Sequence, residues 1–348
     1  MADCPDHVIY YEELNGVRPS KTADILIGVF LLLVVFTGIG GNIAALAYFW
    51  KRRDDNLSKL LYTIISITDI CTSTVTIAVI PTLFKGRRPG LFRSYGICGA
   101  FSMLFKHLQR FSMYMVMMIS VTRTIAIFKP FYKIRKKGVV VACLAFEIFW
   151  IAVDVAFLAS GSLQMVYYAP AASCGVIPGV GVQIWTWNFY IIIFLLWLVL
   201  GTLFVLISLI LSLRTVAGMR KRSTIQNAKV KKFVDVSLTI TLFTAAFLLC
   251  NLPLLILQTW ANIVYFIGTE ADYENKNDVY GWYGLVIAHV FLTTFNAASN
   301  PCLYLTRMLK YRAWLRSKLS RQWRRVTTLV SDYGLNTINF HCRIKTEN

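Results

Sequence analysis

The chain alternates between long apolar stretches and short polar connectors. Connectors such as 51–56 ("KRRDDN") and 85–90 ("KGRRPG") are rich in charge, glycine or proline. A helix needs about 20 apolar residues to cross a hydrocarbon core of about 30 Å. Seven stretches meet this length: 25–49, 60–84, 98–128, 138–160, 185–213, 233–260 and 283–306. The pattern predicts an all-α membrane protein built as a seven-transmembrane helix bundle.

Composition and charge define the predicted topology. Hydrophobic residues make up 57% of the 348 positions and charged residues only 15%, against about 25% charged in soluble domains. Lysine and arginine concentrate in alternate connectors and in 307–348, which the positive-inside rule assigns to the cytoplasm. We therefore predict a multi-pass membrane protein with an extracellular N-terminus (1–24), a membrane domain (25–306) and a cytoplasmic amphipathic helix and tail (307–348). The net charge of +19 then reflects membrane orientation rather than nucleic-acid binding.

Several polar side chains fall within the apolar spans. Asp69 lies in the second span, where a carboxylate needs a cation, a proton or hydrogen-bond donors. Ser112, Asn296 and Asn300 offer oxygen atoms on the third and seventh spans, and oxygen ligands suit a hard cation. The residue types leave two interpretations open: a sodium or proton site, or a hydrogen-bond network that joins the helices.

The third span also carries a possible ligand pocket. Lys106 and Arg110 are four residues apart and share a helix face, so together they favour an acidic ligand group. The alternatives are an internal ion pair with Asp154 of the fourth span, or snorkelling of the lysine. The predicted pocket residues are Phe105, Lys106, Gln109, Arg110, Asn251, Gln258 and His289. His289, like His107, is a single histidine that also fits a purely structural role.

Motifs in chain order resemble those of the rhodopsin-like G-protein-coupled receptors. They are Asn42 of "GGN", Asp69, Trp150, the sequence Phe247, Cys250 and Pro253 as most of F-x-x-C-W-x-P, and Asn300, Pro301 and Tyr304 of N-P-x-x-Y. The stretch "RMLKYRAWLRSKL" resembles the family's short amphipathic helix along the inner leaflet. The resemblance covers residues from about 25 to 320.

The resemblance implies roles for particular residues. Arg123 occupies the position of the arginine in D-R-Y, which engages the G protein, and Pro130 and Phe131 match the loop that packs against it. Pro253, Asn300, Pro301 and Tyr304 correspond to switch positions, and Asp69, Ser112, Asn296 and Asn300 to an allosteric sodium site. Cys98 and Cys174 resemble the family disulfide. Both lie on the predicted oxidising side, where disulfides persist.

The chain also departs from the family pattern. Thr122 stands where the family has an acid beside the arginine, and Phe233 replaces a second acid on the sixth span. Without these acids we expect a weakly enforced resting state and ligand-independent activity. Asn251 replaces the tryptophan at the base of the pocket, so ligand sensing there must work differently.

Charge indicates the class of ligand, and the family resemblance implies the partner. No lysine occurs between Lys276 and Lys310 for a retinal Schiff base, and Phe105 stands where amine receptors carry aspartate. We predict a peptide or small acidic molecule as ligand, and the family resemblance implies a heterotrimeric G protein as partner and a location in the plasma membrane. A receptor fold that binds ligand without coupling is the alternative. A transporter or channel subunit is less favoured because the chain shows no internal repeat. No enzyme motif occurs, and sodium is the one cofactor predicted.

Overall fold

A computed structural model shows how the chain is arranged. It describes residues 21–52, 57–85, 95–128, 132, 134–159, 163–168, 173–178, 184–222, 241–242, 244–253, 256 and 276–332. The sixth predicted span, 233–260, is therefore described only in part. Gln258, Pro130, Phe131 and Phe233 lie outside the described residues.

Helices account for nearly all of the described chain. They are α1 Lys21–Lys51, α2 Leu57–Lys85, α3 Tyr95–Phe128, α4 Lys136–Ala159, α5 Ile184–Arg222, α6 Thr244–Pro253, α7 Lys276–Arg307 and α8 Leu309–Asp332. The predicted all-α class is confirmed, and six predicted spans coincide with helices described along their whole length. The fifth predicted span ended at residue 213, whereas α5 continues as a helix to Arg222.

A short hairpin between α4 and α5 was not predicted. Strands β1 Leu163–Tyr168 and β2 Ser173–Pro178 pair antiparallel, with Leu163 opposite Pro178 and Tyr167 opposite Cys174. The hairpin lies against α3. Each strand has only six residues, and so short an apolar run does not distinguish a strand from a loop or a helix end.

The outward faces of the helices suit lipid better than water. Phe36 of α1, Ile148 of α4 and Leu200 of α5 are each more than 60% exposed. Within the described residues, α1, α2, α4 and α5 each contain a window long and apolar enough to cross a membrane. α3 and α7 are more polar because they carry the residues that meet inside the bundle.

The interior of the bundle is joined by both apolar and polar contacts. Leu31, Val35, Val75, Ile80, Phe105 and Val290 form an apolar cluster drawn from α1, α2, α3 and α7. Asn42 of α1 donates through Nδ2 to the carbonyl oxygens of Gly38 and Ala297, each at 2.9 Å. The second of these bonds joins α1 to α7. Asn42 is completely buried, and these two bonds satisfy its Nδ2 group there.

The chain divides into two compact units, Met1–Leu303 and Tyr304–Asn348. In the second unit, Tyr311 and Trp314 stack with ring centroids 6.1 Å apart. Helix α8 carries the predicted amphipathic segment and continues beyond it to Asp332. Leu319 and Trp323 are exposed on α8, whereas burial raises the pKa of the Tyr311 phenol.

Candidate functional site

A small polar cavity lies in the first unit, between α2, α3, α6 and α7. It has room for a single small ion or water molecule. Side chains from all four helices line it: Asp69, Thr72, Gln109, Ser112, Asn251, Thr293, Asn296 and Ala297. Residues far apart in sequence are thus brought to one point inside the bundle.

Asp69 is the ionisable group of this cavity. Its side chain is 1% exposed, and its Oδ2 accepts a hydrogen bond from Asn300 Nδ2 at 2.6 Å. Asn296 Nδ2 donates to Ser112 Oγ at 3.4 Å, joining α7 to α3. The structure therefore brings together all four residues predicted for sodium, with three on the cavity wall and Asn300 bonded to Asp69.

Thr293 adds a group that the sequence analysis missed. Its hydroxyl is buried, lines the cavity, and has no hydrogen-bond partner among the described residues. Buried polar groups normally have partners. A signal was present in the sequence, because Thr293 lies three residues before Asn296 and so shares its helix face. A buried carboxyl group and an unsatisfied hydroxyl oxygen beside a small cavity fit a hard monovalent cation.

The predicted ligand-pocket residues separate into two environments. Gln109 and Asn251 line the polar cavity, and Asn251 Nδ2 donates to the carbonyl oxygen of Phe247 at 2.9 Å. Phe105 instead belongs to the apolar cluster and is 7% exposed. Its ring centroid lies 5.6 Å from that of His289 on α7. These residues therefore line the bundle interior from the apolar cluster down to the cavity.

Arg110 lies away from the cavity, against α4. Its Nη2 donates to Asp154 Oδ2 at 2.5 Å and its Nη1 to Asp154 Oδ1 at 3.4 Å. The guanidinium carbon also lies 4.6 Å from the ring centroid of Trp150. This is the internal ion pair that the sequence left open as an alternative. Because Asp154 compensates the guanidinium charge and Arg110 is only 5% exposed, Arg110 is a poor partner for an incoming acid.

Lys106 has a different environment. Within the described residues it forms no ion pair with a carboxylate. It is close enough to His289 of α7 to interact with it electrostatically. Lys106 is therefore the cation of the predicted pocket with no direct ion pair among the described residues, and its charge also interacts with Arg110 and Asp154.

The far end of α3 carries the predicted coupling residue. Arg123 lies in the last two turns of α3, which ends at Phe128, and its side chain is outside the description. The Thr122 hydroxyl donates to the carbonyl oxygen of Ile119 at 2.9 Å. The Thr122 side chain is therefore bonded to its own helix backbone, whereas an acid at this position would be free to pair with Arg123.

Hydroxyl groups join this end of α3 to α5. Thr124 Oγ1 lies 3.2 Å from Ser208 Oγ, and Ser208 donates to the carbonyl oxygen of Ser120 at 3.3 Å. Both bonds are uncharged, so they hold α3 to α5 more weakly than an ion pair with charge-assisted hydrogen bonds would.

Comparison with known proteins decides the family. A family model described as "7 transmembrane receptor (rhodopsin family)" matches residues 41–304. The match runs from the first helix to the end of N-P-x-x-Y and covers well over half of the chain. The chain belongs to the rhodopsin family of seven-transmembrane receptors. Membership implies a multi-pass plasma-membrane protein and a receptor rather than an enzyme.

The receptor is also similar to a solved structure, the crystal structure of squid rhodopsin. The TM-score is 0.65 at 15% sequence identity, and the similarity covers 94% of each chain. At this identity the likeness shows the fold alone. A search among curated protein sequences finds no significant match.

The remaining predicted positions of the receptor lie on described helices. Pro253 is the last residue of α6 as bounded above, and Asn300, Pro301 and Tyr304 all lie on α7. Cys98 lies in the first turn of α3 and Cys174 in β2, a strand that contacts α3. Their side chains are outside the description, so the disulfide stays a prediction.

Proposed function

We propose that this receptor couples an extracellular ligand to a heterotrimeric G protein. The observation that carries the proposal is the polar cavity, which is lined by Asp69 of α2, Asn251 of α6 and Asn296 of α7. Pocket residues on α3 lead into it, so a ligand that shifts them changes the packing of helices that continue toward Arg123. We propose the orientation that the distribution of lysine and arginine favours, with the N-terminus extracellular and α8 cytoplasmic.

The first test is guanine-nucleotide exchange without ligand. Thr122 stands where the family has an acid that restrains the arginine, and its hydroxyl bonds the helix backbone instead. We therefore expect exchange above that of membranes lacking the receptor. Arg123→Ala should reduce exchange to that background at equal surface expression. Equal exchange from the receptor and the variant would contradict basal coupling, and would favour a receptor fold that binds ligand without coupling.

An acidic ligand is proposed, with Lys106 as the cation that meets it. Acidic peptides should stimulate exchange more than the same peptides with their carboxylates converted to amides. Lys106→Gln should remove this difference, because it replaces the ammonium with a neutral side chain that still fits the site. Equal stimulation by acidic and amidated peptides would count against an acidic ligand. Arg110→Gln is no matched control because it unpairs Asp154.

We also propose that the cavity binds sodium. Asp69 would supply the negative charge, and Ser112 and Thr293 would supply neutral oxygen atoms, while the side-chain oxygen of Asn296 completes the set. Bound sodium brings no chemistry of its own and serves to hold α2, α3 and α7 together.

Sodium binding predicts a specific stabilisation. At a sodium concentration ten times the Kd, the folded receptor should gain about 1.4 kcal/mol relative to equal ionic strength of choline. Asp69→Asn should abolish that gain, because it removes the charge while keeping the shape. The measurement is the midpoint of unfolding of the purified receptor in each salt. If sodium raised the unfolding midpoint of Asp69→Asn as much as that of the wild type, the stabilisation would come from a site other than this cavity.

A further inference from the structure

Asn251 is the residue through which α6 reaches the polar cavity. Among the described residues that line the cavity it alone belongs to α6, and it shares the wall with Asp69. Asparagine stands here where the family that the sequence resembles has tryptophan. An indole has only an N–H donor, whereas a side-chain amide also has an oxygen atom, and such oxygen atoms are ligands for hard cations. The departure from the family pattern therefore brings an oxygen atom from α6 to the cavity.

The helix of Asn251 itself fixes the orientation of the amide group. Asn251 Nδ2 donates to the carbonyl oxygen of Phe247, one turn earlier on α6, at 2.9 Å. In the reversed orientation Oδ1 would face that carbonyl oxygen, and two acceptors cannot form a hydrogen bond. Because Nδ2 is used by the helix, Oδ1 is the atom of the amide that is left to interact with the cavity.

Two oxygen atoms at the cavity lack protein partners within the described part of the chain. Asn251 Oδ1 accepts no hydrogen bond there, and the buried Thr293 hydroxyl has no partner either. Polar atoms in a protein interior normally have partners. One oxygen comes from α6 and the other from α7, and the cavity has room for one small ion or water molecule. An occupant of the cavity would therefore satisfy groups on both helices.

The chemistry of the lining atoms favours a cation over a water molecule as this occupant. Asn251 Oδ1 and an ionised Asp69 carboxylate can only accept hydrogen bonds. A water molecule donates two hydrogen bonds at most, whereas hard cations take about six oxygen ligands or more. The four sodium ligands proposed above come from α2, α3 and α7 only. Coordination positions therefore remain for an oxygen atom of α6.

We propose that Asn251 Oδ1 is a sodium ligand, so that the ion joins α6 to α2, α3 and α7. This inference rests on the sodium site proposed above and adds to it a residue that the family pattern does not supply. Helix α6 also carries Pro253, one of the switch positions that the resemblance implies. Sodium would then stabilise the arrangement in which α6 brings Asn251 to the cavity, which links occupancy of the cavity to the position of α6.

The test is the sodium dependence of the unfolding midpoint of the purified full-length receptor, with choline keeping the ionic strength constant. The stabilisation grows with the ratio of sodium concentration to Kd, so a titration yields the Kd. Asn251→Leu removes the oxygen at similar size and should raise the Kd at least about tenfold, because even the loss of a group behind the ligands of a metal costs that much. Asn251→Asp keeps an oxygen atom and should bind sodium at least as tightly as the wild type.

Thr294→Val is the matched control for a general loss of stability. Thr294 is buried on α7, and its hydroxyl lies 3.1 Å from that of Thr76, away from the residues that line the cavity. This variant should unfold more easily but keep the Kd for sodium, because the titration reports binding rather than overall stability. If Asn251→Leu does not fold, Asn251→Ala carries the test, since it also lacks the oxygen.

Three results would overturn the inference. An unchanged Kd in Asn251→Leu, together with loss of the sodium effect in Asp69→Asn, would keep the sodium site and remove α6 from it. A Kd raised equally in Asn251→Leu and Asn251→Asp would assign the effect to the contact of Nδ2 with Phe247 rather than to the oxygen. No difference between sodium and choline in the wild type would reject the sodium site and the role of Asn251 together.

Discussion

Asp154→Asn is expected to destabilise the receptor by about 3–5 kcal/mol, the usual cost of removing one partner of a buried ion pair. The Arg110 guanidinium would keep its charge while losing the carboxylate that both of its terminal nitrogens contact. Asparagine has nearly the same shape, so the loss reports charge and hydrogen bonding rather than a cavity. The measurement is unfolding of the purified receptor in mixed micelles titrated with a denaturing detergent.

A double variant separates the ion pair from packing. Arg110→Leu combined with Asp154→Leu removes both charges, and replacing a buried pair by apolar residues is often close to neutral. We therefore expect the double variant to be more stable than Asp154→Asn. If Asp154→Asn and the double variant lose the same amount of stability, the ion pair has little energetic importance. The packing of side chains at the α3–α4 contact would then account for the loss.

Gly41→Ala is expected to destabilise the receptor by about 1–3 kcal/mol, the cost of overpacking a close contact. Gly41 of α1 faces Pro301 of α7, and a Cβ atom at Gly41 would lie 2.5 Å from the Pro301 Cβ. Both atoms belong to short, rigid groups, so only a shift of the helices relieves the clash. The result would be seen as a lower unfolding midpoint in the same detergent titration.

The neighbouring glycine is a matched control. A Cβ added at Gly40 meets no atom of the described residues within 4 Å. Gly40→Ala should therefore stabilise α1 by up to about 1 kcal/mol, because alanine is the better helix former. Equal effects at Gly40 and Gly41 would contradict the close approach of α1 to α7.

The helices were predictable because the bilayer imposes a length. Six predicted spans agree closely with helices, since about 20 apolar residues are needed to cross the hydrocarbon core. The hairpin at 163–168 and 173–178 was not predictable in the same way. Its strands lie against α3 and depend on that contact, while their own sequence has no length or period that distinguishes them.

The two predicted sites differed in how far the sequence could specify them. Residue types and spacing were enough to group Asp69, Ser112, Asn296 and Asn300, which do meet in the structure. Spacing also placed Lys106 and Arg110 on one face of α3, but it could not say which neighbour each cation meets. Arg110 forms an ion pair with Asp154 of α4, whereas Lys106 forms none with a carboxylate among the described residues and interacts electrostatically with Arg110, Asp154 and His289.

The sequence by itself determined that the receptor has seven membrane spans, which family it belongs to, and which polar residues lie inside the membrane. These properties depend on local composition and on motifs read along the chain. Only the tertiary structure decided which charges compensate each other, that Thr293 shares the cavity with Asp69, and that His107 lies between two acids. The physical reason is that a partner depends on how each helix is rotated against its neighbours, and that rotation is set by packing over the whole bundle.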